Sequence, residues 1–429
     1  MDVFRINGGR PLRGTVRVNG SKNAALPLMA AALLTAEPTV LRGVPDLSDL
    51  NNMGRLLSTL GVRLERSGDH WTLTPHDPTP HLAHYDIVRT MRAGICVLGP
   101  LLAGRGRARV SMPGGCAIGD RPVDLHLRGL RALGAQIRID AGYIDAVVPG
   151  GRLRGGHVFL GGPAGPTVLG TVNVMSAAAL AEGTTVIESA ACEPEVVDVG
   201  RLLNAMGARI TGLGSPTLTI EGVSELGGAD HTVIPDRIEA GTYLLAAAAT
   251  SGSVTLERFP RAMLTALLDR LEEVGVELRV HADQPGVVHP TVDVLPARRF
   301  QACQVVTQPH PGFPTDLQAQ LMALLCLADG NSTITERIFP DRFLHVAELS
   351  RMGAQIRRLG STAVVHGVRE LIGAPVMASD LRASAGLVIA GLCARGTTQI
   401  DRVYHLDRGY DRMEVTLQEL GADIERVEA

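Results

Sequence analysis

Two kinds of helical stretch alternate along this chain of 429 residues. The first kind is apolar at nearly every position. It comprises residues 24–36, 93–103, 174–181, 243–250, 320–328 and 385–394, all dominated by Ala, Leu, Val and Met. A helix with no polar face is buried on every side. The second kind carries a single apolar stripe, as at Leu56, Leu57 and Leu60, or at Leu202, Leu203 and Met206. That spacing predicts a helix lying half-exposed on a core. Each striped stretch runs into the same phrase: an apolar residue, Gly, a small apolar residue, any residue, then Ile or Leu. Its glycines are Gly61, Gly134, Gly207, Gly275, Gly353 and Gly421, separated by 73, 73, 68, 78 and 68 residues. Glycine there is a helix stop before a strand. A phrase spaced so evenly makes the chain six copies of one module of roughly 70 residues.

A second phrase precedes each of those glycines by 23 to 28 residues, as in Gly183-Thr184-Thr185-Val186 and Gly330-Asn331-Ser332-Thr333-Ile334. Glycine followed by β-branched residues reads as a turn into a strand. Each module is therefore strands plus one buried and one half-exposed helix. The predicted class is α/β, with sheets facing outward and apolar helices packed inside. The length suits two or three domains, and six modules divide most simply as three and three.

Composition narrows the function. The chain is 45% hydrophobic but only 3% aromatic, so the core is aliphatic. A net charge of −3 argues against a general nucleic-acid or anionic-membrane surface. The longest apolar run is too short to span a bilayer and contains Pro27. The start, Met1-Asp2-Val3-Phe4-Arg5, has no basic-then-apolar leader pattern, and a cytoplasmic protein is expected. The six cysteines form no C-x-x-C, and the 13 histidines show no zinc-ligand spacing, so no metal is assigned. Cys96, Cys326 and Cys393 fall in apolar runs and read as packing residues, while Cys192 and Cys303 carry no signal.

The chemistry concentrates where the apolar helices begin. The six entries are Gly20-Ser21-Lys22-Asn23, Arg89-Thr90-Met91-Arg92, the stretch 167–173, Asp236-Arg237-Ile238-Glu239, Pro314-Thr315-Asp316 and Ser379-Asp380-Leu381-Arg382. Ordinary capping accounts for Ser, Thr, Asp and Asn. It does not account for Lys and Arg, which the helix dipole disfavours at an N-terminus. A cation placed there needs an anion nearby, and the free N–H groups of the helix start would serve the same anion. The alternative is that Arg92, Arg382 and Asp380 make internal ion pairs that brace the fold. Lys22 is no phosphate-loop lysine, because the order is Gly-Ser-Lys and no G-x-x-x-x precedes it.

One further stretch stands out: Pro113-Gly114-Gly115-Cys116-Ala117-Ile118-Gly119-Asp120-Arg121-Pro122. Three glycines and two prolines predict a mobile loop, and a cysteine at its centre is a poor packing residue. Arg121 beside it favours the thiolate. The C-x4-R spacing does not fit a cysteine phosphatase, which needs C-x5-R. Asp316 reads by itself as an ordinary first-turn acid or as a general base at an anion site. Arg408, within Asp407-Arg408-Gly409-Tyr410-Asp411-Arg412, reads as part of a charged turn.

Taken in order, these segments resemble the enolpyruvyl transferases over the full length. They include Ser21-Lys22-Asn23-Ala24-Ala25-Leu26-Pro27, Thr90-Met91-Arg92-Ala93, the Cys116 loop and Arg121-Pro122-Val123-Asp124-Leu125-His126. They also include Phe313-Pro314-Thr315-Asp316-Leu317-Gln318-Ala319-Gln320, Asp380-Leu381-Arg382-Ala383-Ser384 and Asp407-Arg408-Gly409-Tyr410. The resemblance implies a two-domain fold of six βαβαββ repeats, three per domain, with residues 22–234 in one domain and 1–21 plus 235–429 in the other. It places the active site in the cleft between them. It implies transfer of enolpyruvyl from phosphoenolpyruvate to the 3-hydroxyl of UDP-N-acetylglucosamine, at the entry to peptidoglycan synthesis, with no metal or organic cofactor.

Carried over by position, the resemblance implies that Lys22, Arg121 and Arg408 hold the donor phosphate, and Arg342 and Arg382 its carboxylate. Asn23, Arg92, Arg121, Pro122, Val123, Asp124, Leu125, Asp316 and Ile338 would contact the nucleotide sugar. Asp316 would be the base toward the 3-hydroxyl, Cys116 the acid toward the methylene carbon, and Asp380 a proton-handling partner. Family members acting on shikimate 3-phosphate carry Gly-Ser-Lys-Ser and lack the cysteine loop, so this chain is expected in the nucleotide-sugar branch. A non-catalytic nucleotide-sugar binder would not need Lys22, Cys116, Asp316 and Arg408 intact. One segment departs from the family: Gly165-Pro166-Thr167-Val168-Leu169-Gly170-Thr171 lacks the usual lysine of the diphosphate loop. Backbone N–H groups, Thr167 or Thr171 are the expected substitutes.

Overall fold

A computed structural model describes residues 2–113, 123–281, 289–297 and 299–428. The chain separates into two compact units, residues 20–113 with 123–234, and residues 2–19 with 235–428.

The first unit contains three four-stranded sheets. Their spatial orders are Asp230–Thr232, Thr39–Arg42, His70–Pro75, Val62–Ser67; Leu82–Ala83, Arg107–Ser111, Tyr143–Val147, Gln136–Asp140; and His157–Phe159, Thr184–Glu188, Thr217–Glu221, Arg209–Thr211. In each, the first pair is parallel and the other two pairs are antiparallel. The second unit repeats that order three times. Pro375–Met377 pairs with Thr397–Asp401, then Asp2–Asn7, then Asp423–Glu428. Arg13–Arg17 pairs with Ser253–Glu257, then Val292–Val294, then Leu278–Val280. Gln304–Val306 pairs with Asn331–Thr335, then Thr362–His366, then Gln355–Leu359. Two small two-stranded ladders complete the described strands.

Side-chain alternation explains which way the sheets face. In Thr217–Glu221, Leu218 and Ile220 are buried while Thr217 and Glu221 are exposed, the pattern of an antiparallel sheet with one wet face. Behind the sheets lie the apolar helices. In the first unit these are Lys22–Ala31, Leu98–Arg105 with its entering 3-10 turn Arg92–Val97, and Val168–Ala179. In the second they are Arg237–Ala249, Gln318–Leu325 and Leu381–Cys393. Every residue of Arg237–Ala249 is buried. Gln318–Leu325 packs on both of its partners in that unit. Close approach needs small residues: a Cβ on Gly99 would lie 2.1 Å from the Asn173 carbonyl oxygen of the neighbouring helix.

Two of these helices begin about a turn and a half before their apolar runs. Residues 167–173, expected to precede a helix, are mostly inside one: Thr167 caps it by accepting from the Gly170 N–H, and the helix starts at Val168. Asp236 likewise caps Arg237–Ala249 by accepting from the N–H groups of Ile238 and Glu239. Gly170, Thr171 and Asn173 in one, and Arg237, Glu239, Gly241 and Thr242 in the other, interrupt the apolar pattern, so the apolar runs alone start both helices late.

The striped helices are Ser48–Thr59, Asp124–Ala132, Pro194–Ala205, Thr265–Val274, His345–Arg351 and Met413–Glu419. The glycine after each has a left-handed backbone, with φ of 78°, 92°, 106°, 90°, 92° and 88° from Gly61 to Gly421. A Cβ is disfavoured in that conformation, which is why the same residue recurs at all six positions. Among the described residues no helix is long and apolar enough to cross a membrane.

Candidate active site

In the unit of residues 235–428, the starts of two buried helices bring one carboxylate between two guanidinium groups. Asp316 sits in the 3-10 turn Thr315–Leu317 that enters Gln318–Leu325. Its Oδ1 accepts from Arg342 Nη1 at 2.7 Å, and its Oδ2 accepts from Arg382 Nε at 3.2 Å. Arg382 is 3% exposed and Arg342 6%, whereas the Asp316 side chain is 27% exposed. The open member of the cluster is thus the acid. Burial opposes the charge on Arg382, but Tyr410, Asp316 and Asp236 together raise its guanidinium above the ordinary value. Of the two readings of a cation at a helix start, the internal ion pair is present here. The second reading is compatible with it, because guanidiniums that hold one carboxylate are built to take another.

Glu336, wholly buried, organises the approach to Arg342. Its carboxylate accepts from the hydroxyls of Thr307 and Thr315 and from the N–H groups of Ile338 and Phe339. Thr315 Oγ1 in turn receives Arg342 Nη1 at 3.0 Å. So one acid fixes both the Ile338 turn and the threonine that steers Arg342. Asp380 caps Leu381–Cys393 by accepting from the N–H groups of Arg382 and Ala383. Asp380 acts electrostatically on two histidines. Burial lowers His345 to about 4, with Asp380 opposing and Arg342 adding to the shift. Burial and Arg408 also lower His405, again against Asp380. Both imidazoles are therefore neutral near pH 7. Arg408 closes the 3-10 turn Val403–Arg408 and is half-buried. Its neighbour Asp407 is fixed by Arg426, which also holds Glu414 and Asp2.

In the unit of residues 20–234, Lys22 is the first residue of its helix, and Ser21 caps it by accepting from the Ala24 N–H. Lys22 Nζ donates to Asp49 Oδ2 at 3.2 Å, with both side chains buried. Asp49 lies in the first turn of Ser48–Thr59, where it also suits the helix dipole. Asn23 and Arg92 are half-buried at their helix starts. Asn173 links three segments: its amide takes the Gly99 N–H and donates to the Ile95 carbonyl and to Nδ1 of His126. The turn that carries Arg92 is thereby tied to the helix Asp124–Ala132, which begins with Asp124 and Leu125 after Val123. Arg128 of that helix holds the carbonyls of Phe159 and Gly161. These lead into the small ladder Gly161–Gly162 with Gly165–Pro166. Thr171 is not available to a ligand: fully buried, it donates to the Thr167 carbonyl and accepts from the Ala191 N–H. Cys116, Arg121 and Pro122, and the mobility expected of their loop, lie outside the described residues.

Comparison with known proteins gives the family. The sequence model of one family, EPSP synthase (3-phosphoshikimate 1-carboxyvinyltransferase), matches residues 6–417. The chain belongs to that family. Within it, a relative from Anaeromyxobacter dehalogenans (strain 2CP-C) is 55% identical over 431 residues, covering 100% of both chains, and is named UDP-N-acetylglucosamine 1-carboxyvinyltransferase. A protein of the same name from Cellvibrio japonicus (strain Ueda107) is 52% identical over 430 residues, again with 100% of each chain covered. Among solved structures, the enolpyruvyl transferase NikO from Streptomyces tendae superimposes with a TM-score of 0.88 at 25% identity, covering 100% of this chain and 99% of that one. EPSP synthase from Acinetobacter baumannii shares the fold, with a TM-score of 0.75 at 19% identity over 100% of both chains.

For this member of the EPSP synthase family, the described cysteines are poor chemical participants. Burial pushes Cys96, Cys326 and Cys393 up to about 12 and Cys303 up to about 11. Cys192, half-buried, is raised by burial and then by Glu193. The sequence reading missed Asp49, Glu336, Asn173 and Arg128. Each is an unremarked polar residue whose partner lies far along the chain; Asp49 and Lys22 are 27 residues apart, and Asn173 and Ile95 are 78 apart.

Proposed function

We infer that the protein transfers the enolpyruvyl group of phosphoenolpyruvate to the 3-hydroxyl of UDP-N-acetylglucosamine, releasing phosphate, as the committing step of peptidoglycan synthesis. The observation that carries this reading is likeness at 52–55% identity along the whole chain to proteins named for that reaction.

The chemistry follows from the residue types. Phosphoenolpyruvate brings about three negative charges near neutrality, which Lys22, Arg121 and Arg408 at the phosphate and Arg342 and Arg382 at the carboxylate would meet. Asn23, Arg92, Arg121, Pro122, Val123, Asp124, Leu125, Asp316 and Ile338 would contact the nucleotide sugar. In the addition step Asp316 takes the proton of the 3-hydroxyl, whose oxygen bonds to the donor's central carbon. The Cys116 thiol gives its proton to the methylene carbon, with Asp380 assisting. In the elimination step a proton leaves that methyl carbon, the carbon–phosphate oxygen bond breaks, and the enol ether forms as phosphate departs. The clustered cations stabilise charge that develops between the two steps. Both substrates carry several phosphate or carboxylate charges and do not cross a bilayer unaided, which supports a cytoplasmic site of action.

Each Asp316 oxygen already accepts one guanidinium N–H, so the two arginines compete with a sugar hydroxyl for the carboxylate. Its pairs with Arg342 and Arg382 support an exchange: the donor carboxylate takes the arginines and leaves Asp316 to the sugar hydroxyl. The deciding experiment measures phosphate release from phosphoenolpyruvate with UDP-N-acetylglucosamine and shikimate 3-phosphate offered in turn. Release with the nucleotide sugar alone is expected. Release only with shikimate 3-phosphate, or with neither, would overturn the reading.

A further inference from the structure

Behind the Asp316–Arg382 pair lies a buried hydrogen-bond chain to which no role has been given. Arg382 Nη1 approaches the Tyr410 hydroxyl at 3.2 Å, and that hydroxyl lies 2.9 Å from Thr242 Oγ1. Thr242 Oγ1 also lies 2.8 Å from the Ile238 carbonyl, one turn back in its own helix. The direction of every bond follows from the inventory of protons. A guanidinium only donates, and a carbonyl only accepts. Thr242 has one proton, which goes to Ile238, so Tyr410 must donate to Thr242. The phenol's lone pairs then accept from Arg382, with Gln320 Nε2 reaching the same oxygen at 3.4 Å. Gln320 ties in the other half of the pair: its Nε2 donates to the Asp316 main-chain carbonyl at 2.8 Å and reaches Thr242 Oγ1 at 3.1 Å. Tyr410 is 1% exposed, and Thr242 and Gln320 are fully buried. The Arg382 guanidinium also lies 5.5 Å from the Tyr410 ring centroid.

We propose that Tyr410 is a positioning residue for the donor: its hydroxyl holds the Arg382 guanidinium in place when Asp316 releases it, so that Arg382 meets the carboxylate of the enolpyruvyl phosphate already oriented. The role rests on the reading that Arg382 takes that carboxylate. Arg382 has two described polar side-chain partners, Asp316 and Tyr410. One of them is the proposed base, which leaves the guanidinium in the exchange with the donor carboxylate. A neutral partner suits the other position, because it orients the guanidinium without competing for its charge. Burial raises the Tyr410 phenol, although Arg382 lowers it, so the hydroxyl keeps the proton that it gives to Thr242.

The test compares phosphoenolpyruvate with vinyl phosphate, which lacks the carboxylate, using the full chain and the variants Tyr410→Phe, Thr242→Val and Thr242→Ser. Tyr410→Phe is expected to raise KM for phosphoenolpyruvate by about tenfold, the scale of one lost hydrogen bond to a charged group. The inhibition constant of vinyl phosphate and the KM for UDP-N-acetylglucosamine should stay within about twofold. Thr242→Val, which removes the phenol's acceptor, should shift the same constant in the same direction, and Thr242→Ser should restore it. Equal weakening of both donors, or an unchanged KM for phosphoenolpyruvate in both Tyr410→Phe and Thr242→Val, overturns the proposal. Arg382→Lys separates the two levels. If it leaves the preference for the carboxylate-bearing donor intact, the carboxylate reading fails and the proposal falls with it. If it abolishes that preference while Tyr410→Phe does not, only the role of Tyr410 falls.

Discussion

Arg342 donates through Nη1 to Oδ1 of Asp316 at 2.7 Å, and it does so from a nearly closed position while the acid is partly open to solvent. With Arg382 on the other oxygen, the acid does two jobs. It pairs with two buried cations, and it is the candidate base.

The two jobs separate experimentally. Asp316→Ala should lower kcat by about 10²–10⁴-fold, the usual scale for a lost general acid–base group. It should also lower Tm, because two buried guanidiniums lose a partner. A donor carboxylate can take the vacated place. Phosphoenolpyruvate should therefore raise the Tm of Asp316→Ala by more than it raises that of the wild type, where two ion pairs must first break. Thermal shifts with and without phosphoenolpyruvate, and steady-state rates, check both halves. Near-wild-type turnover would remove Asp316 from the chemistry, and an equal Tm shift would remove the exchange.

Cysteine chemistry offers a second test. The proposal puts the reactive thiol at Cys116, while burial pushes Cys96, Cys326 and Cys393 up to about 12. A thiol reacts through its thiolate, so those three are expected to be inert in the folded protein. A small phosphonate epoxide should label Cys116 alone, because its anion would sit beside Lys22, Arg121 and Arg408. UDP-N-acetylglucosamine should accelerate the labelling. Cys116→Asp should resist the reagent and keep some turnover, since a carboxylic acid still donates a proton. Peptide mapping decides the matter. Label on Cys192 or Cys303, or no acceleration, would mean that the acid has been misplaced.

Two buried groups set opposite pH dependences of stability. His345 is lowered by burial to about 4. The unfolded chain therefore binds the extra proton first, and stability is complete above the ordinary histidine value of about 6.5 and falls as the pH drops toward 4. Glu239 accepts from the backbone and side-chain amides of Asn19, yet burial and Asp236 push it up to about 8. Here the folded chain holds the extra proton. Its contribution is complete below the ordinary glutamate value of about 4.3 and is lost as the pH rises through 8. Urea unfolding at pH 5, 6.5 and 8 should show the stability of Glu239→Gln rising relative to wild type across that range. His345→Gln should gain relative to wild type between pH 6.5 and pH 5. A pH-independent difference for either variant would refute its assignment.

What the sequence made legible was whatever depends on backbone conformation or on periodicity. The six glycines are visible because a Cβ is disfavoured at their φ, and the apolar helices because burial on all sides leaves few polar positions. Long-range pairing was not visible. Nothing local in Asp2–Asn7 indicates that it lies between Thr397–Asp401 and Asp423–Glu428. The site divides in the same way. Lys22 and Arg382 stood out as cations where the helix dipole disfavours them, but their pairing with Asp49 and Asp316 did not. Asp316 is 66 residues from Arg382, and both Asp49 and Asp316 resemble ordinary first-turn acids. Glu336 gave no signal, because a strand-end glutamate is usually solvated, and only the tertiary fold buries it among four donors.

The repeated glycine allows the backbone argument to be measured in isolation. At Gly134, Gly207 and Gly353 the φ values are 92°, 106° and 92°, and an added Cβ would meet nothing within 4 Å. Alanine there incurs the left-handed conformation and no collision, so each substitution should cost about 1–2 kcal/mol. Asparagine, which tolerates that conformation better, should cost less than alanine at the same positions. Gly61 differs: with φ of 78° its Cβ would also fall 2.0 Å from the main-chain oxygen of Asp77. Gly61→Ala should therefore destabilise clearly more than Gly134→Ala, because backbone rather than a flexible side chain has to move. Gly134→Ala and Gly353→Ala lie in different modules and should add within about 0.5 kcal/mol. Urea titrations of the single and double variants measure all of this, and kcat should stay near wild type because none of these glycines belongs to the proposed site. Equal costs at Gly61 and Gly134, or asparagine worse than alanine at Gly134, would show that something other than the left-handed turn keeps glycine in the phrase.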